Sequence, residues 1–181
     1  QFGESLKETK IIPVMVIKNI DNAIPMAKFL YGLGYKTLEV TLRTEFGLLA
    51  ISEIDDELPE ITVGAGTVIN KGQYEAAVAA GAKFIVSPGH TDELLNAANE
   101  SEVPFLPGVA TPSEAMNLYD IGYSYFKLFP AEAVGGIKML KSIMGPLPQL
   151  KFCPTGGITE KTAKEYLALS NVVCVGGSWM I

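Results

Sequence analysis

Tyr125-Phe126-Lys127-Leu128-Phe129-Pro130 is a β-rich run with a single charge at its centre. Side chains alternate along a strand, so Tyr125, Lys127 and Phe129 share one face, and Phe126 and Leu128 the other. Two readings follow for Lys127. It could be an exposed lysine on an edge strand, or it could point inward from a strand paired on both sides. The rest of the chain decides between them.

Seven further β-rich runs lie at Ile11–Val16, Thr37–Thr41, Ile61–Ala65, Phe84–Ser87, Phe105–Val109, Lys151–Thr155 and Val172–Val175. Helical stretches separate them near 21–33, 45–57, 71–80, 91–99, 112–120, 136–143 and 160–169. Asp21, Thr91, Thr111 and Thr159 suit helix N-caps, and Pro112 suits a first helical turn. Gly34, Gly81 and Gly122 stand where left-handed C-caps need glycine. Eight strands and seven helices predict an α/β chain folded as a (β/α)8 TIM barrel, one domain over residues 1–181. An open doubly wound sheet usually has fewer strands. The helix expected after the eighth strand falls beyond Ile181, so this final helix is expected to be missing. In a barrel every strand is paired on both sides, which turns Lys127 inward.

Nearly half of the 181 residues are apolar, enough for a substantial core. The formal net charge of −6 and the lack of a basic stripe argue against a nucleic-acid partner. No apolar run is long enough to span a membrane, and Gln1–Lys10 is too polar for a signal peptide. A cytoplasmic enzyme is therefore expected. Cys153 and Cys174 each sit in an apolar run and read as buried free thiols in a reducing compartment.

The inward parity collects polar residues at or near strand C-termini, where barrel active sites are built. It takes Glu39, Thr41 and Arg43 from the second strand, Thr67 after the third, Lys127 from the sixth and Thr155 from the seventh. An inward ammonium is costly to bury, and burial favours the neutral amine that can attack a ketone. Glu39 reads as a general acid/base or as a structural partner for Lys127 or Arg43. Arg43, the only arginine, could bind a carboxylate bidentately or could cap the following helix at the surface. Thr67 could cap the next helix instead, Pro88 and Gly89 could be a simple turn, and His90 reads as a solvated loop residue. Asp55, Asp56 and Glu57 read as a solvated helix end, and Trp179 as a packing residue.

Thr155-Gly156-Gly157 follows the seventh strand and Gly176-Gly177-Ser178 the eighth. Loops after these strands, with a helix N-terminus, commonly hold phosphate in barrels. One histidine and no carboxylate cluster at ligand spacing argue against a metal site and against a metal-dependent aldolase. No Ser–His–Asp arrangement or Walker loop is present.

Six segments together resemble one family. They are Ile12–Val14, Leu38–Thr44, Val63–Val68, Phe126–Glu132, Phe152–Ile158 and Gly176–Trp179, and they run in order through the chain. They resemble bacterial 2-keto-3-deoxy-6-phosphogluconate (KDPG) aldolase, also described as 4-hydroxy-2-oxoglutarate (KHG) aldolase. Leu128 and His90 are small departures from the pattern. The resemblance implies a class I lyase of the Entner–Doudoroff route that needs no cofactor and forms a homotrimer. It implies that Lys127 forms a Schiff base with a pyruvyl substrate and that Glu39 transfers protons. Arg43 and Thr67 would hold the pyruvyl carboxylate. Pro88, Phe129 and Thr155 would shape the pocket, and Gly156, Gly157, Gly176, Gly177 and Ser178 would bind the distal phosphate. The rival readings are a 2-keto-3-deoxy-6-phosphogalactonate aldolase using the same lysine, a phosphate-barrel isomerase or epimerase, and a non-catalytic sugar-phosphate binder.

Overall fold

A computed structural model describes residues 1–181 throughout. In chain order the elements are α1 (Phe2–Thr9), β1 (Ile11–Met15), α2 (Ala23–Gly32), β2 (Thr37–Thr41), α3 (Gly47–Glu57), β3 (Thr62–Gly66), α4 (Lys71–Ala80), β4 (Ile85–Val86), α5 (Asp92–Asn99), β5 (Phe105–Leu106), β6 (Gly108–Val109), α6 (Pro112–Asp120), β7 (Tyr125–Leu128), α7 (Gly136–Met144), β8 (Lys151–Pro154), α8 (Glu160–Leu167) and β9 (Val175–Gly177). A short 3₁₀ turn, Ile20–Asn22, leads into α2.

Strands and helices alternate, so each strand must return parallel to the one before it. All pairings are parallel, in a six-stranded sheet of order β5-β4-β3-β2-β1-β9 and a three-stranded sheet β6-β7-β8. The architecture is α/β, with a curled parallel sheet and helices on its outer side. Pro107 alone separates β5 from β6. Proline has no N–H for the ladder, but its carbonyl accepts from the Lys127 N–H at 2.9 Å. On the opposite flank, parallel bridges Phe152↔Val172 and Thr155↔Gly176 connect β8 to the chain entering β9.

The two faces of the strands pack differently. Outward residues Leu38, Val40, Val63 and Ala65 join α2–α5 in one apolar cluster. Phe126, Leu128 and Phe152 join α6–α8 in a second. Inward residues Ile12, Phe84, Val86, Leu106, Cys153 and Cys174 form a third, closed from one end by Leu6 of α1. Gly3 of α1 lies directly against the Tyr125 ring, and a Cβ there would overlap it.

Several expectations need correction. There are nine strands rather than eight, because Pro107 splits the fifth. There are eight α-helices rather than seven. The extra one, α1, lies in the polar start of the chain, where Phe2 and Leu6 are spaced one helical turn apart and meet the sheet interior. Asp21 is not a cap: the Asn19 side chain accepts from the Asp21 N–H at 3.0 Å to open the 3₁₀ turn. The fourth strand shortens to Ile85–Val86. The last strand shifts to Val175–Gly177, because glycine backbone pairs with β1 as readily as valine does. The caps at Thr91, Thr111 and Thr159 form, the last as a full capping box with Thr162, and each is worth about 1 kcal/mol. Gly81 closes α4 in the left-handed region at φ 107°.

Candidate active site

Lys127 sits mid-strand in β7, in register with Gly108 of β6 and Cys153 of β8. Residues in register across a parallel ladder share a face, so Lys127 points inward with Cys153. It is 2% exposed. Its Nζ lies 4.8 Å from the centroid of the Phe129 ring, two residues along the same face. The ion pairs of the chain, Lys71–Glu100 and Lys83–Asp55, are both at the surface, and neither involves Lys127. The edge-strand reading is excluded by the pairing on both sides. The second of these ion pairs also corrects the reading of Asp55 as simply solvated.

Glu39 is in register with Val14 of β1 and Gly64 of β3. Gly64 faces Phe84 of the interior cluster, so Glu39 also points inward. It is 4% exposed, and its Oε2 has no hydrogen-bond partner. A buried carboxylate oxygen without a donor is costly for folding alone. The reading of Glu39 as an ion-pair partner of Lys127 or Arg43 does not hold. The carboxylate instead lies directly over Gly66, in space that any side chain at that position would take. Thr41, expected with the site, is fully buried and spends its hydroxyl on the Met15 carbonyl at 3.1 Å.

Arg43 and Thr67 leave the C-terminal ends of β2 and β3. Arg43 Nε donates to Thr67 Oγ1 at 2.9 Å, which leaves the two terminal guanidinium nitrogens for another ligand. Arg43 does not cap the helix after it, which has no side-chain cap, but it is exposed, so the inward position expected of it from strand parity does not hold past the end of β2. Nor does Thr67 cap α4, whose N-cap is Asn70. Thr67 stands at φ 55°, a left-handed conformation that is strained for a β-branched residue.

Cys153, beside Lys127 in the next strand, and Cys174 are free, buried thiols. Burial pushes the Cys174 thiol well above its ordinary value, with smaller contributions from its hydrogen bond to Cys153 and from the charges of Cys153 and Glu39. Both thiols are buried in the apolar interior cluster.

Pro88 is half-buried and borders a cleft of about 200 Å³ with Val68, Ile69, Gly89 and His90. His90 is not a free loop residue: its Nδ1–H donates to the Gly108 carbonyl at 2.8 Å. Gly108 needs to be glycine, since a Cβ would collide with the Pro88 carbonyl.

Thr155 follows β8 and packs against Gly176, where a Cβ would come within 2.6 Å of its hydroxyl. Gly156 and Gly157 follow at φ 110° and 75°, conformations that favour glycine. The N–H groups of Gly156, Gly157 and Ser178 donate to no oxygen of the chain. Gly176 and Gly177 belong to β9 itself rather than to a loop after it, and Gly177 lies under the Trp179 ring. Ser178 is exposed. No group of three or more His, Cys, Asp or Glu side chains is arranged to hold a metal ion.

An inward amine and an inward carboxylate on a curled parallel sheet, with a guanidinium just past a strand's C-terminal end, are the parts of a lyase of the aldolase class. A model described as "KDPG and KHG aldolase" matches residues 2–181, and the chain belongs to that family. It is 51% identical over 180 residues to the KHG/KDPG aldolase of Escherichia coli K12, covering 99% of this chain and 84% of that protein. It is 50% identical over 175 residues to the 2-dehydro-3-deoxy-phosphogluconate aldolase of Pseudomonas aeruginosa, covering 97% and 80%. Among solved structures it is similar to the KDPG aldolase of Legionella pneumophila with pyruvate captured as a covalent carbinolamine intermediate. That match has a TM-score of 0.97 and 51% identity, over 100% of this chain and 88% of the other.

Proposed function

We propose that the chain is a class I aldolase cleaving KDPG to pyruvate and glyceraldehyde 3-phosphate, and KHG to pyruvate and glyoxylate. Lys127 carries this reading: an inward lysine with no acidic partner, close to the Phe129 ring, suits covalent chemistry better than structural ion pairing. The pyruvate-bound Legionella relative supports it.

In this mechanism the Lys127 amine adds to the C2 ketone, and loss of water from the carbinolamine leaves an iminium. Glu39 takes the proton of the C4 hydroxyl as the C3–C4 bond breaks. The electron pair of that bond moves into the iminium to give an enamine, and the aldehyde departs. Glu39 returns its proton to C3, and water hydrolyses the iminium to free pyruvate and Lys127. Arg43, steadied by Thr67, pairs with the substrate carboxylate, while Pro88, Phe129 and Thr155 wall the pocket. Gly156, Gly157, Gly176, Gly177 and Ser178 form the phosphate end, supported by the free N–H groups of Gly156, Gly157 and Ser178.

The nine strands are read as one closed (β/α)8 barrel, in which the runs on either side of Pro107 act as a single strand. The chain is one domain, requires no cofactor beyond its lysine, and works as a cytoplasmic homotrimer. Borohydride reduction with pyruvate, followed by peptide mapping, is expected to find a 1-carboxyethyl group, the hydride-reduced iminium, on Lys127. Adduct at another lysine refutes the assignment. A lactate dehydrogenase-coupled assay on both substrates tests the reaction itself.

A further inference from the structure

Glu132 lies five residues beyond Lys127, and its carboxylate is tied to an element remote in sequence. The Tyr166 hydroxyl of α8 donates to Glu132 Oε1 at 3.0 Å, and Tyr166 is fully buried. Burial, then the hydrogen bond to Glu132 and its negative charge, raise the Tyr166 hydroxyl above its ordinary value, so it stays a donor. Glu132 also touches both glycines after β8. Its N–H donates to the Gly156 carbonyl at 3.2 Å. A Cβ at Gly157 would come within 2.9 Å of the Glu132 side chain, so that chain lies flat against Gly157. The Ala131 N–H adds a third tie, to the Thr155 carbonyl at 2.8 Å. Gly136 completes the bracket at φ 52°, where a Cβ would press on the Tyr166 hydroxyl.

We propose that Glu132 and Tyr166 are positioning residues for the substrate's phosphate, acting by fixing the peptide planes whose Gly156 and Gly157 N–H groups are free to donate. The inference rests on the reading of those glycines as the phosphate end of the site. An acidic side chain next to an anion site is unfavourable by charge alone. Its carboxylate is engaged by Tyr166, while its backbone sets the loop, so its contribution is geometric. A loop held this way binds phosphate without reorganising.

The test uses the whole chain with KDPG, KHG and inorganic phosphate as a competitive inhibitor. Tyr166→Phe and Glu132→Ala should each lower the KDPG-to-KHG ratio of kcat/KM by about tenfold, the scale of one hydrogen bond to a charged group. Both should weaken phosphate inhibition in parallel. Glu132→Gln keeps an oxygen for Tyr166 and should restore most of the ratio. Equal losses on both substrates, or phosphate inhibition unchanged in the variants, overturn the proposal while leaving the phosphate end intact. Wild-type protein that is not inhibited by phosphate and does not favour KDPG over KHG removes the phosphate end and this proposal together.

Discussion

The Glu39 carboxylate occupies the volume that a Cβ on Gly66 would need. Two strands thereby share one space: β3 gives up a side chain so that β2 can aim a carboxylate into the sheet interior. Gly66→Ala should displace Glu39 while leaving the backbone unstrained. Steady-state assays should show kcat reduced on the order of 10²–10⁴, the range for a lost general acid/base, with an unchanged circular dichroism spectrum. Retention of full kcat would show that the carboxylate works without this placement.

Lys127→Met should abolish the borohydride-trapped adduct. It replaces a buried amine lacking an acidic partner by an apolar chain of similar length, so Tm should hold or rise. A fall in Tm of more than about 3 °C, roughly 1 kcal/mol for a chain of this size, would mean that the amine chiefly supports the fold.

Arg43→Ala should raise KM on the order of ten- to a hundredfold, matching a lost charge-assisted contact. Arg43→Lys should recover little, because an ammonium cannot hold Thr67 and a carboxylate through one planar fork. A change in kcat with KM unmoved would argue that Arg43 does not hold substrate. Thr67→Gly separates the two roles of its position: relief of left-handed strain should add roughly 1 kcal/mol of stability, while loss of the hydroxyl should raise KM.

Alkaline pH should destabilise the fold. The thiol of Cys174 is raised well above its ordinary 9.0, chiefly by burial, and the hydroxyl of Tyr74 is raised above its ordinary 10.0, also chiefly by burial. The unfolded chain therefore loses these protons first, and it binds fewer protons than the folded chain above about pH 9. Stability is full below that pH and declines as pH rises through the folded-state values. Thermal melts from pH 8 to 11 should show Tm falling, with a shallower slope in Cys174→Ala. Equal slopes would remove the thiol from the account.

Local chemistry made much of this protein legible in its residues. Thr91, Thr111 and Thr159 announced helix starts, Gly81 announced a helix end, and the alternation through Tyr125–Phe129 put Lys127 and Phe129 on one face. Caps and strand parity depend on neighbours a few residues away, so they are written in the chain itself. The amphipathic spacing of Phe2 and Leu6 was also legible but was outweighed by the polar residues around it.

Tertiary structure alone decided the rest. That Glu39 lies over Gly66 without a salt bridge, that His90 donates to Gly108, and that Tyr166 holds Glu132 against Gly157 all join residues from separate strands and helices. Such contacts depend on register and on which volumes are left empty where elements meet. A missing Cβ on one strand becomes meaningful only when another strand lies beside it. The sequence by itself determined that Glu39 and Lys127 face inward; the curled sheet determined which side chains share a space and left Arg43 exposed at its rim.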